Sequence, residues 1–95
     1  MENEKSTEAY LRDEVKRLGG RSYKWVSPGR AGVTDRIVIA PGGRVVFAEL
    51  KSEGRKSSEQ QKRFQAKLEE LGCTVYRDID TKEKVREMLR EVFAP

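Results

Sequence analysis

The chain has no histidine and a single cysteine, Cys73. Those absences exclude an internal disulfide, a Cys/His zinc site and any nucleophile activated by an imidazole base. If the chain does chemistry, carboxylates, lysine and a hard metal ion must carry it. No apolar run approaches the ~20 residues that cross a bilayer. The opening residues, Met1-Glu2-Asn3-Glu4-Lys5, hold no apolar stretch for secretion. A soluble, intracellular, cytoplasmic protein is expected, with no membrane partner and no organic cofactor.

Charge is what the sequence has in quantity. Charged residues make up 38% of the 95 positions, with 20 Lys+Arg against 16 Asp+Glu and a net charge of +4. A small basic domain suits a polyanion, because each neutralised phosphate releases a counterion, although many basic domains bind none. Residues 1–95 fit one domain, and a domain this small buries only roughly 60–65% of its unfolded surface. A second copy of the chain would add burial that the core lacks.

Hydropathy patterning gives the order α-β-β-β-α-β-α. A helix runs from Ser6 or Thr7 to Leu18, with Leu11, Val15 and Leu18 as its apolar stripe and Gly19-Gly20 as its stop. Arg21 to Val26 can form a strand, and Ser27 to Gly32 is a loop. Ile37-Val38-Ile39 and Val45-Val46-Phe47-Ala48 flank the turn Pro41-Gly42-Gly43, which reads as a hairpin. Ser58-Glu59-Gln60-Gln61 fits a capping box and opens a helix through Phe64, Leu68 and Leu71. Cys73 to Arg77 is a last strand, expected parallel to the third. A third helix with Val85, Met88, Leu89 and Val92 follows. The fold class is α/β, a mixed sheet flanked by helices.

Side chains alternate across a strand, so Val45, Phe47, Glu49 and Lys51 share a face. The strand is apolar on both faces at its start, as in a strand covered on both sides, and then continues one face with two opposite charges. Taken alone, that also fits a strand emerging into solvent with an incidental ion pair. The hairpin adds information. A three-residue loop at Pro41-Gly42-Gly43 places Asp35 opposite Glu49, with Cα atoms about 4.5–5.5 Å apart. Carboxylates that close repel, and a divalent cation between them resolves the repulsion. Asp35 by itself reads better as a turn residue after Gly32. Glu8 and Gln61 stand at the same offsets from their helices' apolar stripes, either as site residues or as first-turn and capping residues.

These residues resemble the D…E-x-K signature of the PD-(D/E)XK nuclease superfamily. More narrowly, Glu8, the segment Ser27-Pro28-Gly29-Arg30-Ala31-Gly32-Val33-Thr34-Asp35-Arg36, the strand Phe47-Ala48-Glu49-Leu50-Lys51 and Gln61 resemble the VRR-NUC family. Thr34 departs from the proline usual there. The resemblance implies a restriction-endonuclease-like αβββαβ core with an added C-terminal helix. It implies an Mg2+- or Mn2+-dependent endodeoxyribonuclease, with Asp35, Glu49 and the Leu50 carbonyl as metal ligands and Glu8 reaching the metal through water. Lys51 would stabilise developing charge or orient the attacking water, with Gln61 assisting. Arg30, Arg36, Arg55, Lys56, Lys62 and Arg63 flank these positions and are candidates to grip DNA, or ordinary solvated charge. Stand-alone copies of this length resemble virus-type or bacterial members, which implies a homodimer that resolves four-way (Holliday) junctions in recombination or repair. The alternatives are a nicking, restriction-type or flap nuclease, and a DNA-binding protein without turnover.

Overall fold

The structure, a computed structural model, describes residues 1–29 and 32–95. Its elements are α1 (Glu4–Arg17), β1 (Arg21–Lys24), β2 (Arg36–Ile39), β3 (Val45–Leu50), α2 (Glu59–Glu70), β4 (Val75–Ile79) and α3 (Lys82–Val92). Their order is the one expected, while several boundaries move for identifiable reasons. The first helix starts earlier because Asn3 caps it, its Oδ1 accepting the Ser6 N–H at 2.7 Å. A side-chain acceptor at this position satisfies one of the amide groups that a helix start leaves unpaired. Glu4 is thereby carried into the first turn. The capping box of α2 forms between Ser58 and Gln61 as the sequence predicts.

The sheet runs β1-β2-β3-β4. The first three strands are antiparallel, and β4 lies parallel to β3. Ala40 and Arg44 close the Pro41–Gly43 loop, with the Ala40 N–H donating to the Arg44 carbonyl at 2.8 Å. Gly42 and Gly43 both take positive φ there, which glycine alone adopts without steric cost. The pairing that follows sets Ile37 against Phe47 and Arg36 against Ala48, the register expected from the hairpin. The last strand begins two residues later than expected. The Cys73 N–H donates to the Leu68 carbonyl at 2.9 Å and so finishes α2 instead of joining the ladder.

Helices α1 and α3 cover one face of the sheet. Leu11 and Val15 of α1 and Val85, Met88, Leu89 and Val92 of α3 pack on Val38, Val46, Ala48, Leu50 and Ile79. Each such buried side chain contributes about 1.5–3 kcal/mol, and this layer is the core. The apolar stripe of α3 is buried within the chain, against the sheet and α1. The opposite face carries α2 and a smaller aromatic cluster, in which Trp25 stands 5.3 Å from Phe47 and 5.5 Å from Phe64. Coverage here is partial: Val45 is 46% exposed and Leu71, placed on the buried stripe by helix phase, is 73% exposed at the helix end. The residue α2 buries completely instead is Gln65.

Candidate active site

Asp35 directly precedes β2 and is fixed at both ends. Its carbonyl accepts the Trp25 N–H at 2.7 Å, extending the β1–β2 pairing by one residue. Its Oδ2 accepts the Leu50 N–H at 2.8 Å, which turns the carboxylate toward the end of β3. Glu49 lies there, 1% exposed. Two polar groups, one from α2 and one from the strand end, meet it: the Gln61 amide Nε2 donates to Glu49 Oε2 at 3.3 Å, and the Lys51 ammonium Nζ lies 3.7 Å from the same oxygen. Lys51 also donates to Gln61 Oε1 at 2.8 Å. Asp35, Glu49, Lys51 and Gln61 are therefore gathered in one place.

The electrostatics of that cluster are unusual. Burial first, and then the neighbouring Asp35 carboxylate, push the Glu49 pKa from 4.5 up to about 8, against the lowering influence of Lys51. Glu49 Oε1 is buried without a hydrogen-bond partner among the described residues. An unsatisfied carboxylate oxygen in the interior is costly. No group of three His, Cys, Asp or Glu side chains among the described residues is gathered to enclose a cation.

The acidic residue of α1 whose charge acts on Glu49 is Glu4. Its pKa is raised by burial first and then by Asp35, with Lys51 and Lys24 lowering it and Glu8 raising it. Glu8 has a different partner: its Oε2 sits 3.0 Å from Arg36 Nη2, whose side chain is 7% exposed. The direction of the strand explains this, because Arg36 pairs with Ala48 and points to the α1 face, whereas Asp35 points to the other. Glu4 could have been found in the sequence. It stands one turn before Glu8 on the same stripe as Leu11, and placing the helix start at Ser6 or Thr7 hid it.

The sequence is 48% identical over 72 residues to "Putative nuclease p44" of Acyrthosiphon pisum secondary endosymbiont phage 1, over 76% of this chain and 77% of that protein. A solved structure titled "VRR_NUC domain" matches 95% of this chain and 97% of its own, with a TM-score of 0.86 at 26% identity. The chain belongs to the VRR-NUC family. No family model matches the sequence, so the relationship rests on the phage relative and on the shared nuclease fold. The VRR-NUC loop before Asp35 is held by Gly32, whose φ is +85° and where a Cβ would meet the Gln60 backbone at 3.0 Å. Glycine at this point lets the loop press against the start of α2, next to Gln61. Thr34, standing where proline is usual, is fully buried, and its hydroxyl has no hydrogen-bond partner among the described residues.

The basic residues divide into three groups. Arg55 and Lys56 are exposed and line a recess of about 260 Å³ with Glu4, Lys51 and Ser52. Lys62 and Arg63 are exposed on α2, Lys62 pairing with Glu59 at 3.4 Å. Arg36 is 6% exposed and held by Glu8, so it faces the core and not an outside phosphate. Arg30 lies outside the described residues. No described helix is long and apolar enough to cross a membrane.

Proposed function

We propose that this VRR-NUC nuclease is a metal-dependent DNA endonuclease whose reacting groups are Asp35, Glu49 and Lys51, with Gln61 and Glu4 in support. The observation that carries this reading is the adjacency of two carboxylates, one of them buried with an unpartnered oxygen, beside a lysine ammonium. Binding without turnover requires no such pair.

The donor set fits Mg2+ or Mn2+. Both are hard cations that take oxygen ligands and keep several waters when held by one or two carboxylates and a substrate phosphate. Asp35 and Glu49 would be the protein ligands, with the Leu50 carbonyl as a further candidate. A bound ion would supply polarisation of the phosphate and a more acidic attacking water. Glu49 must give up its proton to act as a ligand, and Lys51 nearby favours that loss. The Lys51 ammonium, held by Gln61 Oε1, faces the pocket where negative charge builds on the phosphate and stabilises it there. Glu4 adds negative charge at the edge of the pocket and can hold a water at the ion. Arg55 and Lys56, exposed in the recess that also holds Lys51 and Glu4, would neutralise backbone phosphates, so binding should weaken steeply with salt.

The preferred substrate in this reading is a four-way junction, cut by a homodimer. A two-fold pair presents two sites to a symmetric junction. The half-covered sheet face, with Tyr23, Val45 and Leu71 exposed, supplies apolar area for pairing. The test is cleavage of labelled four-way, forked and linear DNA with and without Mg2+ or Mn2+, using the wild type and Asp35→Ala, Glu49→Ala and Lys51→Ala. Loss of cleavage in all three folded variants supports the site, and normal turnover in any one refutes that residue's role. Preference for forked or linear DNA would replace the junction reading with a flap or nicking nuclease. Sedimentation of the free protein tests the dimer.

A further inference from the structure

The parallel ladder between β3 and β4 breaks at the level of the site. Ala48 pairs with Tyr76, but Leu50 pairs with Ile79. Glu49 therefore faces two residues, Arg77 and Asp78, where a regular ladder would offer one. Bulges are uncommon in parallel pairs, and beside active sites they serve to re-aim a side chain. Asp78 is the side chain re-aimed here. Its φ of +53° makes it the one described non-glycine residue in the left-handed region. That conformation is unfavourable for most L-residues and tolerated by Asp.

The direction gained is toward the start of α2. Asp78 Oδ1 accepts both the Ser57 N–H, at 2.8 Å, and the Ser57 hydroxyl, at 2.7 Å. Ser57 Oγ in turn accepts the Gln65 Nε2 at 2.9 Å. Ser57 and Gln65 are both buried, so this is an interior polar network, where a missing partner is costly. Ser57 is joined directly to Ser58, the cap of α2, whose N–H donates to Gln61 Oε1 at 2.8 Å. The same Gln61 oxygen receives Lys51 Nζ, and its amide nitrogen reaches Glu49. Asp78 is thus linked to Lys51 through one backbone segment and a chain of hydrogen bonds, while touching no reacting group itself.

We propose that Asp78, carried on the β4 bulge, is a positioning residue: through Ser57 it fixes where α2 begins, and so holds Gln61 and the Lys51 ammonium against Glu49. The inference rests on the reading of Lys51 as part of the reacting set. A displacement of about 1 Å by a change outside the chemistry can cost about 100-fold in rate, which sets the scale. An ordinary loop anchor would change stability and leave the turnover of folded molecules alone.

Asp78→Gly and Asp78→Asn separate the possibilities. Glycine suits the backbone and removes the acceptor, whereas asparagine tolerates the same φ and keeps an acceptor oxygen. Steady-state cleavage of the best DNA substrate is measured with Mg2+ on the full chain, well below each variant's thermal midpoint. Asp78→Gly should lower kcat about 10- to 100-fold with KM within about threefold, and Asp78→Asn should stay within about threefold of wild type. In a Gln61→Ala background the Asp78→Gly loss should shrink to below about threefold, since residues acting through one another are not additive. Wild-type kcat in Asp78→Gly, an equal loss in Asp78→Asn, or full additivity with Gln61→Ala overturns the proposal. If Asp78→Gly does not fold, Ser57→Ala removes the hydroxyl with its contacts to Asp78 and Gln65 and keeps the Ser57 N–H on Asp78, and its kcat should fall about 3- to 10-fold; an unchanged kcat overturns the proposal equally. Lys51→Ala is run alongside: an active Lys51→Ala sinks the site reading, while an inactive Lys51→Ala with an unaffected Asp78→Gly sinks this inference only.

Discussion

Glu49 allows a quantitative test of the charge arrangement without any substrate. In the folded chain its pKa is raised from 4.5 to about 8, by burial first and by Asp35 second. Once unfolded, the chain releases that proton near the ordinary value. Between those two pH values the folded state holds a proton that the unfolded state has lost, so stability falls as pH rises. The contribution is complete below about pH 4.5 and gone above about pH 8. At 1.36 kcal/mol per decade, the whole interval amounts to about 5 kcal/mol for a group titrating alone. The charge of Lys51 works against the shift, and a measured loss of about 2–5 kcal/mol is expected. Glu49→Gln keeps the shape and removes the titration. Urea unfolding of metal-free protein in chelator, from about pH 5 to about pH 9, is the assay. The variant should match wild type within about 1 kcal/mol at the acid end and exceed it by about 2–5 kcal/mol at the alkaline end. A difference that does not change with pH would refute the argument that Glu49 is protonated in the folded apo chain. Mg2+ at about a hundredfold over its Kd should then stabilise wild type near pH 8 by about 2.7 kcal/mol, and leave the variant unmoved.

Other changes separate structural from chemical roles. Glu8→Gln leaves Arg36 buried without its partner and should cost about 2–4 kcal/mol in urea unfolding, whereas Glu4→Gln should cost under about 0.5 kcal/mol and reduce cleavage more than Glu8→Gln does. Asn3→Ala removes the α1 cap and should lower stability by about 1 kcal/mol, seen as a lower thermal midpoint. Thr34→Val removes a buried hydroxyl that has no partner among the described residues and should raise stability by up to about 1 kcal/mol in the same melt. Gly20→Ala would drive a Cβ to 2.5 Å from the Ile39 carbonyl and 2.8 Å from the Phe93 ring; a loss of at least about 2 kcal/mol is expected by urea unfolding.

Local chemistry determined a large part of this protein from the sequence alone. Pro41-Gly42-Gly43 admits a short loop, and a short loop fixes register, so the approach of Asp35 to Glu49 was legible before any coordinates. Ser58 and Gln61 announce α2 in the same way, because a capping box needs only residues three apart. The tertiary structure decided what depends on chain segments distant in sequence. Glu8 and Arg36 find each other because the β2 register turns Arg36 toward α1, which leaves Glu4 beside Asp35. Leu71 is exposed because α2 ends where the sheet no longer covers it, and helix phase carries no information about where a neighbour stops. The bulge at Asp78 is likewise invisible in the sequence, whose reading stops the strand at Arg77, whereas β4 runs to Ile79 with Leu50 opposite it. Periodicity reports which face a residue takes within its own element. Which partner waits on that face is set by packing between elements, and only the folded chain holds that information.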